Sequence, residues 1–273
     1  MGKYILKRIA LAFVTIWAVA TITFFLMNLV PGGPFLSEKA ISPAATKALE
    51  AKYGLDKPMA ERYFTYISDA AHGDFGDSLK QRGRTVMDII ATKFPVSARL
   101  GGMAVVLALC VGVPLGVLAA YKRGTFIDSL FSVIATCGIA VPGFVICTLL
   151  LYVFGVKLQW LPTLGLKSAQ SYIMPVVALA AYPTSYIMRL MRSSMLDVLG
   201  QDYMRTAKAK GLSQKVSLFK HALRNAILPV ITYVGPMLAY TLTGSFVTEK
   251  IFTIPGLGGE FIKAINGRDY PMI

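Results

Sequence analysis

The sequence predicts an all-α polytopic membrane protein, and composition and charge pattern both support this fold class. Hydrophobic residues make up 55% of the 273-residue chain and charged residues only 15%. A soluble domain carries about a quarter charged residues. Five stretches of at least 21 residues contain no Asp, Glu, Lys or Arg. At about 1.5 Å per residue, each can cross a hydrocarbon core of about 30 Å. These predicted spans are residues 9–30, 100–121, 129–156, 168–188 and 225–248.

The first stretch is predicted to be a retained membrane anchor. Lys3, Lys7 and Arg8 precede it, as basic residues precede the core of a signal peptide. Its uncharged run is longer than a usual signal-peptide core, and no A-x-A-like cleavage site precedes Pro31. The predicted organisation is a tail and first span, an outer loop and a transmembrane domain. These parts are residues 1–30, 31–99 and 100–273.

The outer loop after the first span is expected to be structured. An N-cap Ser42, an N1 proline and a C′ glycine predict a helix over residues 42–54. A second helix is expected over residues 58–71. Thr85-Val86-Met87-Asp88 is a variant of the capping box, and it predicts a short helix that ends near Pro95. The loop is either a small cap packed on the first span or a surface that contacts substrate or a partner.

Basic residues alternate between the loops, which predicts a cytoplasmic N-terminus. The link after the second span contains Lys122 and Arg123, and the link between the fourth and fifth spans contains eight basic residues against two acidic ones. The loop after the third span has only Lys157 and Lys167. Topology and attraction to an anionic lipid bilayer therefore account for much of the net charge of +14. Nucleic-acid binding is disfavoured because the basic residues are scattered over membrane-flanking loops.

The sequence lacks the patterns of a motor or an enzyme. It contains no G-x-x-x-x-G-K-[ST] phosphate loop and no Ser-His-Asp or paired-carboxylate arrangement within the spans. Cys110, Cys137 and Cys147 all lie in predicted spans, and their spacing matches no metal pattern. We therefore expect no cofactor, no metal site and no catalysis. Any active transport would draw its energy from another subunit.

A basic hairpin between the fourth and fifth spans, residues 197–225, is the main candidate for a functional site. Asp202 is expected to cap a helix over residues 203–210, and Gly211 to provide a left-handed turn. Ser213 is expected to cap a second helix that runs toward Arg224. A structured hairpin outside the membrane indicates that something docks on it.

The second helix of this hairpin is predicted to be amphipathic. Val216, Phe219, Ala222 and Leu223 fall on one face at helical spacing, with cationic residues around it. Such a helix inserts into a groove on a soluble partner or lies on the bilayer surface. The pattern alone leaves both interpretations open.

The hairpin resembles the cytoplasmic coupling loop of permease subunits in ATP-binding-cassette importers. The resemblance is closest to the oligopeptide/dipeptide branch, and it rests first on Arg205-Thr206-Ala207-Lys208-Ala209-Lys210-Gly211-Leu212 and His221-Ala222-Leu223-Arg224. Other segments similar to that branch follow in order along essentially the whole chain. They are Leu29-Val30-Pro31-Gly32-Gly33-Pro34, Tyr53-Gly54-Leu55-Asp56-Lys57-Pro58, Gly73-Asp74-Phe75-Gly76-Asp77-Ser78-Leu79, Trp160-Leu161-Pro162-Thr163-Leu164-Gly165, Ile254-Pro255-Gly256-Leu257-Gly258 and Arg268-Asp269-Tyr270-Pro271.

Two departures from the family pattern stand out. The general importer motif has Glu-Ala-Ala six residues before its glycine, where this chain has Arg205, Thr206 and Ala207. A contact that needs the glutamate is therefore not expected. The family also has six spans, whereas five are visible here, so the resemblance implies a sixth span beyond residue 273.

The resemblance implies a permease of a bacterial or archaeal cytoplasmic membrane that works with other subunits. These are a homologous second permease, two cytoplasmic ATP-binding subunits and an extracytoplasmic substrate-binding protein. The residues it implies for coupling to the ATPases are Arg205, Thr206, Ala207, Lys208, Lys210, Gly211, Leu212, Phe219, His221, Leu223 and Arg224.

The substrate and its pathway are less closely defined. The branch includes importers of dipeptides, longer peptides, nickel chelates and glutathione, and the alternative without an ATPase is a pore or facilitator. A membrane-embedded enzyme is disfavoured because no catalytic constellation is present. Candidate pathway residues in or at the edges of the spans are Asn28, Pro142, Tyr182, Ser185 and Tyr240, although packing hydrogen bonds explain the polar ones equally well.

Overall fold

The computed structural model describes residues 1–29, 35, 43–213 and 216–273, and side chains throughout these ranges except those of Pro43 and Lys208. The described residues form helices joined by short turns, and their one β-type pairing is an isolated bridge between Asp77 and Thr85. The predicted all-α class is therefore confirmed. The α-helices are α1 (Gly2–Leu29), α2 (Pro43–Lys52), α3 (Met59–Ala71), α4 (Val86–Tyr121), α5 (Phe126–Ala140), α6 (Gly143–Leu150), α7 (Ile173–Leu199), α8 (Asp202–Ala209), α9 (Leu223–Ala226), α10 (Leu228–Leu242), α11 (Phe246–Ile251) and α12 (Leu257–Gly267).

Four stretches of the described chain are long and apolar enough to cross a membrane, and a fifth is a bent pair of helices. The four are Gly2–Leu29, Val86–Tyr121, Ala169–Leu199 and Leu228–Ile251. The bent pair is Phe126–Ala140 and Gly143–Lys157, with an angle of 102° between its halves. The five predicted spans thus correspond to these five segments, with changes at three of them.

The second span begins earlier than predicted. Thr85 and Asp88 form the expected reciprocal capping box, because the Asp88 N–H donates to Thr85 Oγ1 at 3.0 Å and the Thr85 N–H to Asp88 Oδ2 at 3.3 Å. The prediction of a short helix ending near Pro95 is wrong, since one helix of 36 residues runs through both Pro95 and Pro114. A proline removes one backbone donor, and the surrounding helical bonds keep the helix intact.

The third span is not the single straight helix that a charge-free run suggests. Val141 is extended (φ −77°, ψ 122°), and Pro142 opens the next helix. Proline disfavours the helical conformation in the residue before it, so the break falls at Val141. Past α6 the chain winds as a π-helix over Leu151–Lys157.

The fourth span extends well past its predicted end at residue 188. A 3₁₀ turn over Ala169–Tyr172 leads into α7, which continues to Leu199 and ends at Gly200. Arg189 and Arg192, two of the eight basic residues counted in the link after this span, therefore lie on this helix. The helix tolerates Arg192 because a carboxylate, described below, faces it.

By their contacts the described residues divide into two compact units, residues 93–259 and residues 1–92 with 260–273. The larger unit has an apolar core between the ends of its spans and the hairpin, built on small and flexible side chains. Its fully or nearly buried members are Val105, Ala108, Val117, Ala120, Ile187, Met191, Met195, Met204, Leu218, Ala222, Ala226, Val230 and Met237.

In the smaller unit α3 of the outer loop packs on the first span, as the small-cap interpretation predicts. Helices α2 and α3 have the predicted extents, and Gly54 and Gly73 adopt the left-handed conformation after them. The Thr21 and Tyr63 hydroxyls are 2.7 Å apart, and the Phe24 ring contacts the Tyr63 ring at 5.4 Å between centroids. An N-cap role for Ser42 concerns a residue outside the described ranges.

A second feature of this unit, termed here the outer clasp, joins the turn 76–85 to Asp269. The Asp269 carboxylate, which is buried, accepts hydrogen bonds from the Ser78 hydroxyl and from the Leu79 N–H, the latter at 2.9 Å. Gln81 Nε2 also donates to Glu260 Oε2 at 3.0 Å. Two of the motifs that carry the family resemblance, 73–79 and 268–271, therefore meet in space.

Candidate functional site

The first arm of the hairpin is built as its sequence predicts, to within one residue. Helix α8 begins at Asp202 itself, one residue before the predicted start. The Leu212 N–H closes the arm on the Ala207 carbonyl at 3.3 Å, and Gly211 has φ +74°. A side chain at this φ is strained, which is why glycine occupies the turn.

The second arm has the predicted position but not the predicted winding. The Val216 N–H donates to Ser213 Oγ at 3.5 Å, a long contact at the expected cap. Residues Ser217–Ala222 then form a π-helical turn, followed by α9. Tyr203 and Asn225 join the two arms through a hydrogen bond of 2.8 Å between the amide and the phenol oxygen.

One face of the hairpin is anchored in the core of the larger unit. Met204 is 1% exposed and Ala222 is fully buried, and both belong to the cluster that includes Met191 and Met195. Ala207 is also buried and therefore supports the hairpin from its inner side. The two arms of the hairpin are therefore held in place by buried apolar side chains, at positions that the basic residues of the sequence do not indicate.

The predicted apolar face 216/219/222/223 is divided between inside and outside. Ala222 is buried and Leu223 is half-buried, whereas Val216 and Phe219 are exposed, Phe219 by 60%. A π-turn accommodates an extra residue per turn and so rotates the side chains relative to α-helical spacing. Leu218 instead faces inward. A large aromatic ring is thus presented outward, beside Lys220.

The outward face combines apolar and cationic side chains. Leu212 is 38% exposed, and an ion pair of 3.4 Å between Arg205 and Asp202 is almost fully solvated. Of the other predicted coupling residues, His221 is half-buried, and the side chain of Lys208 lies outside the described part. Residues 214 and 215, which were not among the predicted ones, lie outside it entirely. The exposed ones are Arg205, Thr206, Lys210, Gly211, Leu212, Phe219 and Arg224.

At the base of the hairpin lies a buried ion pair that the sequence does not reveal. Arg192 on α7 binds Asp128 in the first turn of α5 with two hydrogen bonds, Nε to Oδ1 at 2.5 Å and a second nitrogen to Oδ2 at 2.8 Å. The Gly124 N–H donates to the same carboxylate at 3.0 Å. A bidentate pair of this kind fixes the relative orientation of the two helices. The signal in the sequence was a charged residue near the end of a charge-free run: Asp128 directly precedes residues 129–156, and Arg192 follows the run 168–188 by four residues.

A second buried carboxylate was missed for a similar reason. Glu249 is 1% exposed and accepts hydrogen bonds from Ser97 Oγ at 2.6 Å and from the Gly259 N–H at 2.9 Å. Glycines surround it, and a Cβ on Gly256 would come within 2.5 Å of the Glu249 carboxyl carbon. The Ile254-Pro255-Gly256-Leu257-Gly258 motif is therefore a glycine cradle around this side chain.

The candidate pathway residues have different local environments. Ser185 is buried, and a Cβ on Gly138 would collide with its hydroxyl, so it packs between helices. Asn28, in the smaller unit, donates to the Phe24 carbonyl of its own helix at 2.7 Å. Pro142 lies at the bend of the third span. Tyr240 is 74% exposed.

Tyr182 is part of an aromatic row that the sequence did not predict. Its ring stacks on Tyr186 with 6.3 Å between centroids, and Tyr186 contacts Tyr233 on α10 at 4.4 Å. Tyr182 and Tyr186 are 48% and 36% exposed. Within the described residues, no group of three or more His, Cys, Asp or Glu side chains is arranged to hold a metal ion.

Two family descriptions together match nearly the entire chain. "Binding-protein-dependent transport system inner membrane component" matches residues 112–273, and the N-terminal region of the same kind of membrane component matches residues 1–101. The first match alone covers more than half of the chain.

Curated relatives are similar over all 273 residues. The dipeptide transport system permease protein DppB of Bacillus subtilis is 46% identical, and the chain covers 89% of it. The oligopeptide transport system permease protein OppB of Salmonella typhimurium is 43% identical, and the chain covers 90% of it. Among solved structures, an inward-facing form of the MetNI methionine ABC transporter has a TM-score of 0.53 at 18% identity, over 65% of this chain and 81% of that one. This last likeness concerns the fold alone.

Proposed function

The chain belongs to the family of binding-protein-dependent transport system inner membrane components, and on that premise we propose that it is a membrane permease of an ATP-driven peptide importer. Its helices line part of the translocation pathway, and the hairpin 197–225 couples ATP hydrolysis on an external subunit to movement of the spans. The substrate class follows the relatives, which are named for dipeptide and oligopeptide transport.

The observation that carries this proposal is the two-sided construction of the hairpin. Its inner face, with Met204 and Ala222, is buried in the core between the spans. Its outer face presents Phe219 and Leu212 with a cationic rim. An exposed aromatic beside basic residues suits a groove on a soluble partner. Force applied to the outer face would reach the spans through the buried one.

The partners in this proposal are those that the family resemblance implies. Two ATP-binding subunits hydrolyse ATP, in keeping with a sequence that contains no phosphate-binding loop of the G-x-x-x-x-G-K-[ST] type. They dock on the hairpin from the cytoplasm, and the N-terminus lies on the same side by the distribution of basic residues. A homologous second permease completes the pathway, and an extracytoplasmic binding protein delivers the peptide.

For the pathway itself we propose the residues whose side chains remain open. Tyr182 and Tyr240 are exposed and able to hydrogen-bond a peptide backbone, and Pro142 marks the bend that changes the pathway's width. Ser185 lies between helices and Asn28 binds the backbone of its own helix, so both are assigned structural roles.

The substrate is tested with the complete transporter in proteoliposomes. Uptake of a radiolabelled dipeptide and of a labelled pentapeptide is measured with ATP inside the vesicles, with a nickel chelate and glutathione as competitors. ATP-dependent peptide uptake is expected. Uptake that is independent of ATP would indicate a facilitator, and competition by a nickel chelate or glutathione alone would reassign the substrate.

The docking role is tested by Gly211→Val with Gly83→Val as the matched control. Both glycines have left-handed backbone, φ +74° and φ +77°, and at both a Cβ would meet nothing within 4 Å. Each substitution therefore adds a similar strain of about 1–2 kcal/mol. We expect Gly211→Val to insert normally yet to separate ATP hydrolysis from uptake, while Gly83→Val keeps them coupled. Unchanged substrate-stimulated hydrolysis and uptake in Gly211→Val would refute the docking role.

A further inference from the structure

An apolar groove lies between the second span and the hairpin. Its volume is about 750 Å³, within the range of about 300–1,000 Å³ that is typical of small-molecule sites. The last turns of α4 form one wall and the second arm of the hairpin forms the other. The described residues that line it are Val113, Pro114, Val117, Leu118, Tyr121, Ser213, Leu218, Phe219 and Leu223. We name it the hairpin groove.

The chemistry of the hairpin groove is that of hydrocarbon. None of the described lining residues is charged, and the polar ones are Ser213 and the phenol of Tyr121. The groove follows the last residues of a charge-free stretch that ends at position 121, so it lies where the hydrocarbon core gives way to headgroups. A chain of methylene groups fits this wall better than a polar metabolite does.

Two positive charges lie directly after the α4 wall of the groove. Lys122 and Arg123 directly follow Tyr121, both are exposed, and Lys122 Nζ lies 5.5 Å from the centre of the Tyr121 ring. The carboxylate that follows them in the chain, Asp128, is already engaged with Arg192. The groove therefore pairs an apolar interior with a cationic lip that is available to an anion.

We propose that the hairpin groove binds an anionic phospholipid, with an acyl chain along Val117 and Leu118 and the phosphate at Lys122 and Arg123. Basic pockets next to membrane helices bind anionic headgroups in this way. A zwitterionic lipid would gain little from the cationic lip, and a soluble ATPase would have to enter at the level of the hydrocarbon. The proposal rests on the cytoplasmic orientation of the hairpin proposed above.

The complete transporter is reconstituted in nanodiscs that contain both phosphatidylglycerol and phosphatidylcholine and is then released from them. Native mass spectrometry measures which lipid it retains. Leu118→Trp fills the groove, since Leu118 is 38% exposed into it, and Leu149→Trp is the control at an exposed position on α6 outside the groove. Lys122→Gln with Arg123→Gln removes the lip, and Lys157→Gln with Lys167→Gln removes two exposed cations elsewhere.

Each cation near a membrane surface strengthens the attraction of anionic lipid about fivefold, so the lip variant is expected to weaken phosphatidylglycerol retention about 25-fold. Leu118→Trp is expected to lose the same lipid, and both controls are expected to retain it. Phosphatidylglycerol with a photoreactive acyl chain should label residues 113–121 or 216–223.

Equal retention in Leu118→Trp and Leu149→Trp would overturn the proposal, as would labelling confined to other surfaces. A cross-link from residues 113–121, the wall opposite the hairpin, to a partner subunit would also overturn it and would assign the groove to that subunit. Peptide uptake is measured in the same preparations. A wild-type transporter that takes up peptide but retains no phosphatidylglycerol would contradict the lipid site alone. A wild-type transporter that takes up no peptide would contradict the proposed function.

Discussion

The hairpin and the outer clasp are both helix-flanked turns, yet they are held by opposite kinds of interaction. In the outer clasp a buried carboxylate, Asp269, bonds Ser78 and the Leu79 backbone, so directional contacts define one geometry. In the hairpin, Met204 and Leu218 are buried in an apolar cluster, and its outer charges are solvated. Apolar contacts with methionine adapt to small shifts, whereas charge-assisted hydrogen bonds do not. The clasp is built to stay fixed and the hairpin to be moved.

The largest effect is expected from Asp269→Ala in the outer clasp. The substitution removes two hydrogen bonds to a charged acceptor and leaves the Leu79 N–H buried without it, at a cost of about 4 kcal/mol. Faster amide hydrogen exchange over residues 76–85 in the reconstituted transporter is the measurement. Asp74→Ala is the control, because its carboxylate accepts the Gly76 N–H at an exposed site. Equal exchange in the two variants would contradict a clasp held by its buried carboxylate.

The next effect is expected from Met204→Ala in the hairpin. Met204 is 1% exposed, and shortening such a side chain costs about 3 kcal/mol because a cavity remains. Exchange should rise over residues 202–213, measured against Leu212→Ala, whose side chain is already 38% exposed. If Leu212→Ala loosened the hairpin as much as Met204→Ala did, the assignment of inner and outer faces would be wrong.

A smaller loss is expected from Asp128→Asn at the base of the hairpin. The neutral amide no longer balances the charge of Arg192. Because the Arg192 side chain is 30% exposed, water solvates part of its charge, and we expect the free energy of unfolding to fall by about 2 kcal/mol, less than for a fully buried pair. Thermal unfolding of the solubilised transporter measures this. The exchanged pair Asp128→Arg with Arg192→Asp should regain part of the stability, and an exchanged pair less stable than Asp128→Asn would argue against a direct ionic contact.

The smallest change in stability is expected from Phe219→Ala, within about 0.5 kcal/mol, because the ring is 60% exposed. Its effect is expected on docking instead, as reduced co-purification of the ATP-binding subunits. Phe64→Ala is the matched control, with a ring 71% exposed on α3. Normal subunit recovery with Phe219→Ala, or a loss with Phe64→Ala as well, would remove Phe219 from the docking surface.

Features that depend on neighbouring residues were predictable. The capping box of Thr85 and Asp88 and the left-handed Gly211 both formed as expected, since each is decided by side chains and backbone within a few positions. The break at Val141 could have been predicted from Pro142 by the same local logic. Pro95 shows the limit of that logic, because the same residue type interrupts one helix and is absorbed in another.

Features that depend on distant residues were not predictable. Ser78 and Asp269 are 191 positions apart, Ser97 and Glu249 are 152 apart, and Asp128 and Arg192 are 64 apart. Each pair looked like two unrelated polar residues near a span edge or in a loop. The outward position of Phe219 also depends on the π-turn, which the α-helical spacing did not indicate.

The amino-acid sequence by itself determined the membrane class, the spans and the basic hairpin. Hydrophobicity decides which segments insert into the membrane, and the distribution of basic residues decides on which side the loops are expected to lie. Tertiary structure alone decided which hairpin residues face outward and which buried carboxylates have partners. Those outcomes depend on packing between segments that are far apart in the chain, and a linear pattern carries no information about such packing.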